Sequence, residues 1–359
     1  MKIPELNIGG LISKIPIIQG AMGIGVSGPK LAAAVANAGG VGVIAGVNMG
    51  YNEPGFLGNP LAANLSALKS QIAKARQLAP KGIIGINLMV AMNHYGEMVR
   101  AAVEEGIDLI VSGAGLPLKL PSFVKDLQTR IAPIVSSGKA AKVISQYWET
   151  HYGRMPDMVI VEGAEAGGHL GFSREVLDAQ VRPSIMDIVR EVVEAIKPFR
   201  ERFKKAIPVI AAGGIYTGAD IAECLKSGAD GVQMATRFTA TDECDADIKF
   251  KEAYLSARKE DIIIIQSPVG MPGRALNNKF IRKLNEYGDK IKSCSQCLTG
   301  CNPKVAPYCI STALINAVRG NVDEGLVFAG SNVYRIDKMM SVKSLIKELL
   351  DDLALAPNN

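Results

Sequence analysis

A short stretch near the middle of the chain holds residues that could carry out proton-transfer chemistry. Glu162 is followed by the segment Glu165-Ala-Gly-Gly-His169. Glycines before a histidine remove side-chain bulk, so the backbone can pass close to a planar ligand, and an imidazole titrates near neutrality. We therefore expect His169 to have a catalytic or substrate-binding role. The other two histidines, His94 and His151, are expected to be surface or structural residues.

Two later segments could bind a phosphate group. The run that ends in Ala-Ala-Gly213-Gly214 is followed by one that ends in Gln-Met-Ala235-Thr236. Glycines and small residues there expose backbone N–H groups, and helix N-termini add a favourable field for an anion. The alternative is that the two glycines only form a tight turn. We expect all four residues to contact the phosphate of a cofactor.

A glycine pattern near the N-terminus resembles a dinucleotide-binding turn. Gly23-x-Gly25-x-x-Gly28 lies after an apolar run and before a predicted helix. Such a site needs an acidic residue about 20 positions further on. The corresponding segment is Ala45-Gly-Val-Asn48, which contains none. The sequence therefore disfavours a Rossmann site.

Four of the six cysteines lie within sixteen residues. They are spaced C-x₂-C-x₃-C-x₇-C at Cys294, Cys297, Cys301 and Cys309. Four thiolates could bind zinc or an iron–sulfur cluster, although the spacing is that of neither a zinc ribbon nor a ferredoxin. In a reducing compartment, unligated thiols are the alternative to a metal site.

Eight short apolar runs position these residues, and each is followed by a helix-like segment. Strands buried on both faces read as continuous apolar runs, and eight such β-then-α units predict a (β/α)₈ barrel of the TIM type. A doubly wound open sheet is the second choice. The runs are 15–20, 41–46, 82–87, 107–113, 131–137, 158–163, 207–214 and 229–234.

The repeating pattern stops after the eighth run. We assign 1–237 and 326–359 to an α/β TIM barrel, and 238–325 to a smaller helical cap domain that contains the Cys-rich loop. Helices are predicted to begin at Pro29 and after a capping Thr217. A long loop at 49–66 is predicted to lie over the active site.

Composition restricts the class of protein further. The chain has 359 residues, of which 48% are hydrophobic, enough for a large core. Its net charge of +5 is spread along the chain without a basic block, which disfavours nucleic-acid binding. The N-terminal segment lacks the apolar core of a signal peptide, and no run is long enough to cross a membrane. We expect a cytoplasmic protein.

Taken together, the motifs resemble the nitronate monooxygenase family, also known as the 2-nitropropane dioxygenases, which includes flavin-dependent enoyl-ACP reductases. The resemblance covers nearly the whole chain, and 269–280 and 318–330 resemble that family's cap and its return to the barrel. The segments that carry it are PIIQGAMG, GINLMV, EGAEAGGHLG, PVIAAGGI and GVQMATRF.

The resemblance implies a tightly held, non-covalent FMN. Its ring would lie over the first-strand segment that begins at Gly20, with the glycines before His169 facing it. Family members commonly have Gly where this chain has Ala235, and a methyl group there leaves the amide free. The cofactor-binding residues so predicted are Gly20, Ala21, Met22, Asn87, Lys142, Glu162, Gly167, Gly168, Gly213, Gly214, Ala235 and Thr236.

Two activities are compatible with the resemblance. The first choice is an FMN-dependent nitronate monooxygenase that oxidises alkyl nitronates with O₂, in which His169 binds or deprotonates the substrate. The alternative is an NAD(P)H-dependent enoyl-ACP reductase, and a third hypothesis is a flavin-binding protein without turnover. We expect a small-molecule substrate, no nucleic-acid or membrane partner, and a homodimer as the candidate assembly.

Overall fold

Eight parallel strands form a closed barrel, so the predicted barrel is confirmed and the open sheet is excluded. The computed structural model describes residues 2–125 and 128–357. Each apolar run named above overlaps one barrel strand, and the barrel closes in the order β3-β4-β5-β6-β7-β8-β10-β11. The strands are β1 (Leu6–Ile8), β2 (Leu11–Ser13), β3 (Ile17–Gln19), β4 (Val41–Ala45), β5 (Ile83–Met89), β6 (Leu109–Gly113), β7 (Arg130–Val135), β8 (Val159–Glu162), β9 (Gly168–His169), β10 (Val209–Ala212), β11 (Gly231–Met234), β12 (Ile262–Gln266) and β13 (Pro272–Leu276).

Helices alternate with the barrel strands and cover their outer faces. As predicted, α1 begins at Pro29, and Thr217 caps α8 through a capping box with Asp220. The helices are α1 (Pro29–Asn37), α2 (Pro60–Leu78), α3 (Tyr95–Glu104), α4 (Leu120–Phe123), α5 (Gly138–Tyr152), α6 (Arg174–Asp178), α7 (Ile185–Phe203), α8 (Gly218–Lys226), α9 (Thr236–Thr239), α10 (Ile248–Leu255), α11 (Lys279–Tyr287), α12 (Ile310–Val318) and α13 (Val342–Leu355). No helix in the described ranges is both long and apolar enough to span a membrane.

Apolar side chains fill the barrel interior, and a hairpin closes its lower end. Ile18, Val43 and Ile160 are fully or almost fully buried inside the barrel with their neighbours. Leu6 and Ile8 of the β1–β2 hairpin join this cluster. Because the hairpin occupies the N-terminal ends of the strands, ligand access is left to the C-terminal ends, where barrel active sites form.

The predicted loop at 49–66 is shorter than expected. The side chain of Asn59 accepts a hydrogen bond from the amide of Ala62, and Pro60 is the first residue of α2. An Asn cap followed by Pro is a helix start signal, which the sequence analysis missed. This helix runs beside the barrel, so the prediction that 60–66 is part of an active-site loop is wrong.

The segment 238–325, called the cap segment below, contains helices and also a β-hairpin that was not predicted. Strands β12 and β13 pair antiparallel, and β13 pairs with β9 in the loop after β8. In that pairing Gly273 lies opposite His169, and Arg274 opposite Gly168. The last helix, α13, packs back on the barrel between α8 and α1, as expected. The cap segment is therefore tied directly to the strand that carries His169.

Candidate active site

A cavity of about 420 Å³ opens at the C-terminal ends of the barrel strands. Almost every site residue predicted from the sequence lines it, although these residues come from six different strand ends and loops. Together they form one surface that faces the cap segment. The lining residues that were predicted are Gly20, Ala21, Met22, Asn87, Glu162, Gly167, Gly168, His169, Gly213, Gly214, Ala235 and Thr236.

Lys142 does not belong to this cavity. It lies in α5, outside the barrel, where its side chain is exposed and faces a separate groove with Gln146 and Glu149. The family resemblance implied that Lys142 binds the cofactor, but strand β7 already ends at Val135, and α5 begins at Gly138. The position of Lys142 on the outer face of that helix therefore contradicts its predicted role in cofactor binding.

His169 lies at the mouth of the cavity, where it contacts Ser267 of the cap segment and Phe328 just after that segment. Its Nε2 atom is 2.8 Å from Oγ of Ser267, and its ring meets that of Phe328 edge-on, with 5.1 Å between the centroids. Burial lowers the pKa of the imidazole to about 4, because the charged form loses its hydration. His169 is therefore neutral at physiological pH.

Glu162 ends strand β8 and faces the same cavity. Burial raises the pKa of its carboxyl group to about 7. No described residue donates a hydrogen bond to it, and no described cation forms a salt bridge with it. A carboxyl group in this state is partly protonated near neutrality, so it can donate or accept a hydrogen bond from a bound ligand.

The ends of β10 and β11 have the donors that an anion needs. Within the described chain, the amides of Gly213, Gly214 and Ala235 have no hydrogen-bond acceptor. Gly213 and Gly214 have φ of 93° and 80°, left-handed values that turn their N–H groups away from the strand direction. The hydroxyl of Thr236 lies beside them and accepts from the amide of Gly330. Unpaired amides at this edge fit a phosphate group.

The glycines before His169 suit a flat ligand in different ways. Gly168 has a φ of 77°, and an added Cβ there would meet no heavy atom within 4 Å, so its face toward the cavity is open. At Gly167 a Cβ would instead lie 2.6 Å from the backbone of Ala329 and Gly330. An open glycine surface on one side and free amides on the other match the isoalloxazine and phosphate ends of FMN. The residues present therefore fit this cofactor.

The glycine pattern at Gly23, Gly25 and Gly28 has a structural role. The carboxylate of Asp245 accepts hydrogen bonds from the amides of Gly28, Lys30 and Leu31 at the start of α1. The donors that would bind a pyrophosphate in a Rossmann site are thus already paired within the protein. The pairing of these amides agrees with the prediction that the glycine pattern does not form a Rossmann site.

Sequence reasoning missed the residues through which the cap segment completes the site. Tyr254 and Met271 of the cap segment line the cavity, and so does Phe328, which lies just after that segment. Arg274 is buried, and its Nη1 atom donates to the carbonyls of Ala164 and Ala166 at 2.7 and 2.5 Å, which holds the loop before His169 in place. The pairing of β13 with β9 creates these contacts over about 100 residues of chain, and no local pattern indicates them.

The four clustered cysteines lie together at the side of this site. Cys294, Cys297, Cys301 and Cys309 all line a second, smaller cavity of about 250 Å³. Among the described residues, no group of three or more His, Cys, Asp or Glu side chains has the geometry to hold a single metal ion. Burial raises the pKa of Cys297, and the neighbouring Cys309 and Cys301 raise it further.

A closed eight-stranded barrel whose C-terminal mouth is lined with glycines is an architecture that suits FMN-dependent barrel enzymes. The family model for nitronate monooxygenase matches residues 7–352, so the chain belongs to that family. Membership in this family identifies the chain as an FMN-dependent oxidoreductase, as the sequence resemblance implied.

Proteins similar to this chain carry different names. A "Probable nitronate monooxygenase" of Staphylococcus saprophyticus is 28% identical over 386 residues, covering 98% of each chain. A Rhodococcus jostii protein named (3aS,4S,5R,7aS)-5-hydroxy-7a-methyl-1-oxo-octahydro-1H-indene-4-carboxyl-CoA dehydrogenase is 30% identical over 274 residues, which cover 76% of this chain and 66% of that one. The structure of FabK from Thermotoga maritima has a TM-score of 0.73 and 29% identity, with 94% of this chain and 92% of that one covered.

Proposed function

We propose that this enzyme is a nitronate monooxygenase that oxidises small alkyl nitronates with O₂. The observation that carries the proposal is the neutral imidazole of His169 at the mouth of the cavity, beside the open face of Gly168. The Staphylococcus saprophyticus relative, which is named a probable nitronate monooxygenase and is covered over 98% of its length, supports the same proposal. A small substrate also suits a cavity of about 420 Å³ that must hold FMN as well.

FMN, when bound, supplies the redox chemistry, and the protein supplies position and proton control. We assign the phosphate to Gly213, Gly214, Ala235 and Thr236, and the ring to the surface formed by Gly20, Ala21, Met22, Asn87, Gly167 and Gly168. Glu162, at the end of β8, would contact the cofactor through its partly protonated carboxyl group.

His169 would act on the substrate. The amide of Val269 donates to Oγ of Ser267 at 3.2 Å, which leaves the hydroxyl proton of Ser267 available for Nε2 of His169. In that arrangement the ring proton lies on Nδ1, from which a neutral imidazole can donate a hydrogen bond to a nitronate oxygen. Because the pKa of this imidazole is low, hydrogen bonding to an already formed nitronate is favoured over proton abstraction from a nitroalkane.

Oxygen uptake by the FMN-loaded protein tests this proposal. With propyl nitronate we expect O₂ consumption that depends on enzyme concentration, and at least a 100-fold lower kcat/KM for His169→Gln with FMN still bound. A Lys142→Ala variant is the matched control and should behave as the native protein. If a sample saturated with FMN shows no nitronate-dependent uptake of O₂, the proposal is overturned.

The second candidate is reduction of an enoyl thioester by NAD(P)H. Two comparisons favour it: the Rhodococcus relative is named for a carboxyl-CoA compound, and FabK belongs to the enoyl-ACP reductases. The apolar roof that contains Tyr254, Met271 and Phe328 is compatible with an acyl chain. Oxidation of NADH or NADPH that depends on a crotonyl thioester would establish this activity.

Three further expectations accompany the proposal. NAD(P)H is the reductant only if the thioester activity is correct. A homodimer and a cytoplasmic location stay predictions from the sequence, and sedimentation velocity and cell fractionation would test them.

A further inference from the structure

The four cysteines of the cap segment share one cavity although they are spread over sixteen positions. The loop that carries them is fastened to the barrel: the amide of Asn93 donates to the carbonyl of Cys297 at 3.1 Å, and that of Thr299 to Ala91 at 3.0 Å. Cys309 is the N-cap residue of α12, which returns the chain to the same place. None of these contacts involves His169 or the other residues of the candidate active site discussed above.

The size of the cavity and the spread of the thiols distinguish between metals. A single zinc ion needs its thiolates about 2.3 Å from the metal, and no group of described residues meets the requirements for one ion. The cavity of about 250 Å³ is far larger than the ~10–15 Å³ of such space that one water molecule needs. An iron–sulfur cluster places iron and sulfide ions between the cysteines, so it suits thiols that surround a space of this size.

The surroundings are also suitable for such a cluster. Apolar side chains line part of the cavity, namely Ile291, Leu298, Pro303 and Ile310. Ser311, whose hydroxyl lies 2.6 Å from Nδ2 of Asn48, is a hydrogen-bond partner of Cys297. Hydrogen bonds to the ligating sulfur atoms tune cluster sites.

We infer that Cys294, Cys297, Cys301 and Cys309 bind an iron–sulfur cluster next to the flavin cavity. Cys297, Leu298 and Ile310 line both cavities, so the cluster site and the candidate active site share a wall. This inference is independent of the proposed nitronate activity. It concerns only what the four thiols bind.

The test is metal and sulfide analysis of the full chain, purified anaerobically with its FMN and reconstituted with ferrous iron and sulfide. We expect equal amounts of iron and acid-labile sulfide, ~2 or ~4 of each per chain, and a paramagnetic signal after reduction with dithionite. Cys301→Ser should lose both iron and sulfide while it keeps FMN. Cys224→Ala, which changes a buried cysteine in α8 far along the chain, is the matched control and should keep them.

Several outcomes would overturn the inference. Stoichiometric zinc without iron would assign the cavity to a single ion, and neither metal would leave four unligated thiols. Retention of iron and sulfide by Cys301→Ser would place the cluster elsewhere. Should Cys301→Ser fail to fold by circular dichroism, Cys294→Ser replaces it, because the Cys294 side chain is exposed. FMN content and nitronate-dependent oxygen uptake are measured on the same samples, so failure of the activity is distinguishable from failure of the cluster.

Discussion

The Nε2 atom of His169, in the barrel loop, lies 2.8 Å from the Oγ atom of Ser267, in the cap segment. Ser267 also accepts a hydrogen bond from the amide of Val269, so the hydroxyl itself is fixed in direction. The two segments are 98 residues apart in sequence and are joined by the pairing of β9 with β13. Orientation of the candidate catalytic imidazole thus depends on the cap segment as well as on the barrel.

Ser267 should therefore act as a positioning residue. We expect Ser267→Ala to lower kcat/KM about 10-fold, equivalent to ~1.4 kcal/mol, which is the usual contribution of one hydrogen bond. A hydrogen bond donated to Nε2 stabilises the neutral imidazole, so its loss should raise the pKa of His169. The acidic limb of the pH profile should therefore move to higher pH. Ser267→Thr keeps the hydroxyl and should restore most of the activity. Ser256→Ala, at an exposed position, is the control, and an unchanged pH profile for Ser267→Ala would refute this role.

The low pKa of His169 predicts how stability depends on pH. The unfolded chain binds a proton at the ordinary pKa of 6.5, whereas the folded protein does so only near pH 4. Stability should therefore fall as the pH decreases from about 6.5 toward 4, and part of this fall should be absent in His169→Gln. Urea denaturation of the native protein and the variant across this range is the measurement. Parallel stability curves for the two proteins would contradict the assignment.

Glu162 should produce a pH dependence of opposite sign over nearly the same range. Its folded-state pKa is raised to about 7 from 4.5, so the unfolded carboxyl ionises first as the pH rises. Native stability should decline between about pH 4.5 and 7, and Glu162→Gln should remove this contribution. We expect the variant to be more stable than the native protein at pH 8 and similar to it at pH 4. If the native protein and Glu162→Gln have equal thermal midpoints at pH 8, both in the presence and in the absence of added FMN, this would argue against a buried, unpaired carboxyl group.

The sequence predicted the barrel and most of the site because both depend on local patterns. Continuous apolar runs gave all eight strands, and the ends of those strands gave the cavity lining, since parallel strands of a barrel end at one face. The prediction for Lys142 was wrong because strand β7 ends at Val135 and this residue lies in the following helix, α5. Ser267 and Arg274 were not found because their positions depend on the pairing of β9 with β13, and Phe328 was not found because it depends on a bridge to Ala275 in β13. No short-range pattern specifies either contact.

Gly168 allows a direct test of the flavin-facing surface. Both Gly168 and Gly153 have left-handed φ, of 77° and 59°, and an added Cβ would contact nothing within 4 Å at either position. The backbone cost of Ala should therefore be similar, about 1 kcal/mol. Gly168→Ala would also project a methyl group into the cavity, so we expect FMN affinity to fall about 10-fold or more. Gly153→Ala, at the end of α5, should leave FMN binding unchanged, and equal affinities in the two variants would place the flavin elsewhere.

Replacement of Lys142 tests the correction made above. The side chain is exposed on α5 and faces away from the cavity. We expect Lys142→Ala to bind FMN with an affinity within about 2-fold of the native value, because surface substitutions usually change energies by less than about 0.5 kcal/mol. A large loss of affinity in a fluorescence titration would mean that α5 contributes to the cofactor site.

The most direct test of the proposed function is anaerobic reduction of the bound flavin, followed by absorbance in its oxidised band. The proposed function predicts that propyl nitronate bleaches the flavin, that NADH and NADPH do not, and that His169→Gln with bound FMN is bleached at least 100-fold more slowly. Bleaching by NADH or NADPH, reversed by an enoyl thioester and with no response to the nitronate, would contradict it and identify a thioester reductase.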